Sequence, residues 1–96
     1  MARSVVWTEP AWDDLEAGAE YIARDSEHYA AAFVREVRDA AESLSEFAER
    51  GQVVPEFDDA TLRELLIGAH RQIYQVSKPQ VLMLGLIHGA TRFRRY

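Results

Sequence analysis

Cysteine is absent from this chain of 96 residues. That removes a disulfide framework, a thiolate zinc site and a cysteine nucleophile together. Nothing calls for an oxidising compartment. No stretch approaches the roughly 20 apolar residues a membrane helix needs, and the opening Met1 to Glu9 has too short an apolar run for a secretion signal. The expected location is therefore cytoplasmic, with no membrane partner. Internal repeats and low-complexity segments are also missing. What remains is 48% hydrophobic, enough for the core of one domain over residues 1–96.

Positive charge is scarce in one part of the chain and negative charge in the other. Residues 1–60 hold fifteen Asp or Glu and five Arg, a net −10. Residues 61–96 hold only Glu64 against Arg63, Arg71, Lys78, Arg92, Arg94 and Arg95, a net +5, and the two parts give the overall −5. Such a split points either to a charged partner of opposite sign or to a helical hairpin with a solvated acidic face.

Arg3 to Trp7 is a short strand candidate. Thr8 caps a first helix, with Pro10 tolerated in its first turn and Glu9, Asp13 and Asp14 favourable at the positive end. Trp12, Leu15, Ala19 and Ile22 recur on one face, and the helix is expected to end near Asp25. Ser26 caps a second helix with the stripe Tyr29, Phe33, Val37, Ala40, Leu44 and Phe47, ended by Gly51. Trp12, Phe33 and Phe47 are expected in the core. The short link makes the helices an antiparallel hairpin.

Pro55 and the Asp58–Asp59 pair mark a loop. Three strands are expected next: Thr61 to Ile67, His70 to Val76 and Gln80 to His88, joined by turn-sized gaps. Tight turns make neighbouring strands antiparallel. Val81 to Ile87 is apolar on both faces, as a central strand is; that leaves room for the first strand beside it, a position the sequence alone does not fix. The expected fold class is α+β, order β-α-α-β-β-β: an N-terminal strand and an antiparallel helical hairpin packed on a mainly antiparallel sheet. One sheet face is covered by the helices, and the other is left for Arg and polar side chains.

The run Leu62 to Val76, with Arg63 before the Gly68 turn and His70-Arg71-Gln72-Ile73-Tyr74-Gln75-Val76 after it, resembles the core of the RelE/ParE toxin superfamily. So does the ending His88-Gly89-Ala90-Thr91-Arg92. Asp13 to Glu16, Glu20 to Ala23 and Phe33 resemble that family's two helices. One departure is His70, where the family usually has Tyr. The resemblance implies a toxin of a type II toxin–antitoxin pair, forming a hetero-oligomer with a cognate antitoxin. In the ParE-like branch the target is DNA gyrase. In the RelE-like branch the ribosome is the partner and messenger RNA is cleaved without a metal.

Metal-free cleavage has a 2′-hydroxyl attack the adjacent phosphate, so it needs a base, an acid and cations for the phosphorane. A RelE-like site would draw on Arg63, Arg71, Arg92, His88 and Tyr96. Arg71 is expected to face a solvated groove, unless it pairs with Asp58, Asp59 or Glu64. RelE-like enzymes carry lysines on the strand before the turn, where this chain has Arg63 and Glu64. Arginine stays protonated and is a poor base. RNA binding is dominated by phosphate neutralisation, which an acidic chain serves poorly. These points favour the ParE-like branch. They make Arg63, Arg71, Tyr74, Arg92, Arg94, Arg95 and Trp12 candidates for target or antitoxin binding, with an exposed sheet edge open to an antitoxin strand. The alternatives are the mRNA endonuclease and a non-toxic antitoxin-binding module. No cofactor is expected. His70 and His88 without a third ligand motif make no metal site.

Overall fold

A computed structural model describes residues 2–89. Strand β1 (Ser4–Trp7) leads into helices α1 (Glu9–Ala23) and α2 (Glu27–Ser43), followed by β2 (Gln52–Val53), β3 (Leu62–Ile67), β4 (His70–Val76) and β5 (Gln80–His88). The five strands form one sheet in the order β1-β5-β4-β3-β2. β1 runs parallel to β5, with Val5 opposite Val81, and every other pairing is antiparallel. The α+β architecture and the central place of β5 match the sequence expectation.

Both helix starts follow from their caps. The Thr8 hydroxyl accepts from the Ala11 amide at 3.2 Å, and Ser26 accepts from the Tyr29 amide at 3.1 Å. Each satisfies an amide left unpaired by the first turn. Thr8 also ties α1 to the sheet: its amide and hydroxyl both donate to the Met83 carbonyl, at 3.1 and 2.7 Å. Farther along α1, Asp14 accepts from the Leu86 amide at 3.0 Å. Gly68 takes φ 57° in the β3–β4 turn, a conformation that costs a side-chain-bearing residue more than glycine.

The core between helices and sheet holds Ala11, Leu15, Val37, Ala41, Leu44, Tyr74, Val81 and Met83. Gln72 is also buried there; its amide reaches the Val37 carbonyl at 3.3 Å.

Four expectations need correction. α2 ends at Ser43, not near Gly51, in tightened turns where the Leu44 and Ser45 amides bond the Ala41 and Glu42 carbonyls. Phe47 therefore lies beyond the helix and is 65% exposed, Tyr29 is 68% exposed, and Trp12 is 42% exposed with its ring edge-on to Trp7. The short β2 was not visible in the sequence pattern. Finally, the sheet face away from the helices carries a second apolar cluster of Val54, Leu62 and Ile73, with Phe57 and Leu84 against it. Residues of the 54–57 loop lie over that face, where the alternation had left only Arg and polar groups.

Candidate functional site

The β3–β4 hairpin brings the signature residues together. Alternation along each strand sets their faces. Arg71 shares the helix-free face with Ile73 and Glu64, and Glu64 pairs directly opposite Ile73, diagonal to Arg71. The guanidinium does not face a solvated groove. Arg71 is 7% exposed. Its Nε and Nη2 donate to Glu64 Oε1 at 2.9 and 2.6 Å, and its Nη1 and Nη2 donate to Glu56 Oε2 and Oε1 at 2.7 and 2.6 Å. Gln52 Nε2 donates to the other Glu64 oxygen at 2.8 Å. The planar fork matches two carboxylates, a geometry lysine does not offer. The hydrogen bonds to Glu56 push the Arg71 pKa above its ordinary value, against burial and with help from Glu64. The partner from the loop is Glu56, not Asp58 or Asp59. Asp59 instead accepts from the Thr61 amide and hydroxyl.

Arg63 is held by backbone. It donates to the carbonyls of Ala60 at 3.1 Å, Gly51 at 2.9 Å and Glu49 at 3.4 Å. Tyr74 is fully buried. Its hydroxyl donates to the Ala48 carbonyl at 2.8 Å and accepts from the Gly51 amide at 2.9 Å. Burial, the largest influence, raises its pKa. Tyr74 therefore pins the 48–51 segment to the sheet and offers no surface to a partner. Trp12 remains at the surface. Arg92, Arg94, Arg95 and Tyr96 lie outside the described residues.

His70 and His88 pair across β4 and β5, with ring centroids 5.9 Å apart, and His70 also packs on Phe33 at 5.0 Å. Among the described residues no group of three or more His, Asp or Glu is placed to hold a metal ion. Burial, then the charge of His88, lowers the His70 pKa from 6.5. In the window from 6.5 down to that lowered value the unfolded chain binds the proton more readily than the folded one. Stability is thus complete above pH 6.5 and falls as pH drops below it. Thermal melts between pH 7.5 and 5 are expected to show this fall, and His70→Gln should flatten it.

Arg63 and Arg71 are engaged by carbonyls and carboxylates, and the one hairpin phenol is buried. Sequence reasoning missed Glu56, and missed why Gly51 is glycine: a Cβ there would collide with the Tyr74 hydroxyl and stand 2.5 Å from the Glu64 carbonyl. The available signal for the first was a lone Glu64 inside a basic strand, a charge in need of a neighbour.

The chain resembles known proteins along nearly its whole length. A curated relative, Toxin RelE2 of Caulobacter vibrioides, is 41% identical over 87 residues, which is 90% of this chain and 94% of that protein. Two solved structures share the fold. The chromosomal ParDE toxin–antitoxin system from P. aeruginosa matches with TM-score 0.74 at 20% identity, over 91% of this chain and 96% of that one. The toxin–antitoxin complex RelBE2 from Mycobacterium tuberculosis matches with TM-score 0.61 at 22% identity, over 92% and 99%. The family described as ParE toxin of type II toxin-antitoxin system, parDE, matches residues 5–93. With that match spanning β1, both helices and the whole meander, the chain belongs to the ParE toxin family of the RelE/ParE superfamily.

Proposed function

We propose that the chain is a gyrase-inhibiting toxin neutralised by a cognate antitoxin. The observation that carries this reading is the Glu56–Arg71–Glu64 network. Stabilising a phosphorane requires donors aimed at the reacting phosphate, and Arg71 aims its donors at two carboxylates of its own chain. A net charge of −5 also works against a ribosomal RNA surface. A protein target makes neither demand. The 41% identity to a protein named RelE2 favours a second reading, the ribosome-dependent mRNA endonuclease, so the test has two arms. Purified protein is expected to inhibit gyrase supercoiling, with relief by the antitoxin encoded beside it, and to leave mRNA uncut in a translation extract. Codon-positioned cleavage with supercoiling intact would replace the first reading by the second. Harmless expression with tight antitoxin binding would reduce the chain to a binding module.

A further inference from the structure

His70 and His88 stand directly opposite each other on β4 and β5. The next pair outward, Ala69 and Gly89, is joined by a bond from the Gly89 amide to the Ala69 carbonyl at 2.7 Å. Hydrogen-bonded and non-hydrogen-bonded pairs alternate along an antiparallel ladder. His70 and His88 therefore form a non-hydrogen-bonded pair, the kind whose side chains come closest. Their rings meet, with centroids 5.9 Å apart and planes at 73°. The third histidine, His28, lies at the start of α2 in contact with Tyr29.

Two imidazoles at this distance suit a single ion. A metal–nitrogen bond of about 2.0–2.1 Å puts each ring centroid about 3.2 Å from the metal, and two rings at the tetrahedral angle about 5.2 Å apart. A modest ring rotation closes the difference from the observed separation. His70 is half-buried and packs on Phe33, ring centroids 5.0 Å apart, so it is the anchored ligand. His88 is exposed, which gives an ion and its waters a way in.

Sequence spacing offered no reason to join these two residues; the strand register does. A third protein ligand is not offered among the described residues. The remaining coordination positions go to water, which makes the site reversible rather than a permanent structural centre. His70 is also where this chain departs from the Tyr usual in the sequences it resembles, so the general pattern does not supply the pair. Two imidazoles in a chain without cysteine select metals that prefer nitrogen. We propose that His70 and His88 together bind a divalent copper, nickel or zinc ion, which staples the ends of β4 and β5 beside the Gly68 turn. Cu2+ should bind tightest, following the general order of divalent ions, and the oxygen-seeking Mg2+ and Ca2+ should not bind. The site makes no demand on the toxin's target, so it stands or falls apart from the gyrase reading.

The test is titration of the tag-free chain with each metal chloride at pH 7.5, read by calorimetry, amide NMR and thermal melts. Cu2+ and Zn2+ are expected to saturate at one ion per chain. Paramagnetic Cu2+ should broaden the amides around His70 and His88 well before that of His28. Saturating Zn2+ should raise the melting temperature by about 5 °C or more, because the pair exists only in the folded chain. His88→Gln at its exposed position, and His70→Tyr with the usual residue in place, should each weaken binding by more than about tenfold, the least that losing even an outer-shell partner costs. His28→Gln should leave binding unchanged. Cu2+ binding that persists undiminished in the folded His88→Gln or His70→Tyr variant overturns the site, as does broadening centred on His28. Absence of saturable binding at millimolar Cu2+ overturns it as well.

Discussion

Arg71→Ala is expected to remove a large share of the stability of this domain. Glu64 and Glu56 have side chains only 4% and 13% exposed, and the substitution removes the guanidinium that both carboxylates share. Removing one partner from a buried ion network costs about 3–5 kcal/mol, against a total stability of about 5–15 kcal/mol for a domain. Urea unfolding should show the midpoint fall accordingly. Arg71→Lys keeps the charge but not the fork that serves two carboxylates, so its midpoint should lie between those of the alanine variant and the parent. Replacing Arg71, Glu64 and Glu56 together by leucine should recover much of the loss, because the three charges that meet here are then removed together. The triple variant separates folding from function. Growth arrest that returns with the fold shows that toxicity does not need the guanidinium; a folded, inactive triple variant shows that it does.

Gly51→Ala is the second large effect. The added methyl would meet the Tyr74 hydroxyl and the Glu64 carbonyl, and neither is the loose end of a flexible chain. Tyr74 is held on both sides, by the Ala48 carbonyl and the Gly51 amide. Overpacking of this kind costs about 1–3 kcal/mol, sometimes more, and loss of the buried hydrogen bond to Tyr74 adds to it. The melting temperature should drop on the order of 10–20 °C for a domain of this size. Tyr74→Phe provides the comparison. It removes the hydroxyl and leaves the Gly51 amide unsatisfied, and in that background Gly51→Ala should cost less than it does alone, a coupling a double-mutant cycle reads directly.

Local chemistry made the elements legible. Thr8 and Ser26 announced both helix starts, and Gly68 together with the Ser77-Lys78-Pro79 gap delimited the three meander strands. The unbroken apolar run Val81 to Ile87 marked β5 as an interior strand, which left room for β1 beside it. Long-range partners decided what stayed hidden. α2 stops at Ser43 because Arg50 bonds the Ser43 hydroxyl at 2.6 Å and Tyr74 captures residues 48 and 51 from across the core, bonds no helical periodicity foretells. Phe47 kept the helical spacing but not the helix. At the candidate site Arg71 stands out in the hairpin pattern, and its pairing with Glu64 is one of the placements that pattern leaves open. Its surroundings depended on Glu56, fifteen residues upstream in a loop, which no strand alternation brings near.

The parallel pairing of β1 with β5 also governs when the toxin comes into being. Residues 4–7 find their neighbours at 80–83, so β1 must wait for the last of the described strands to be made. Contacts this distant in sequence close slowly. Translation at about 5–20 residues per second therefore leaves an interval of several seconds in which the growing chain has its helical hairpin but no completed sheet. A chain cut short before Met83 would lack the carbonyl that Thr8 grips with both amide and hydroxyl. Premature termination should therefore yield fragments without the finished sheet.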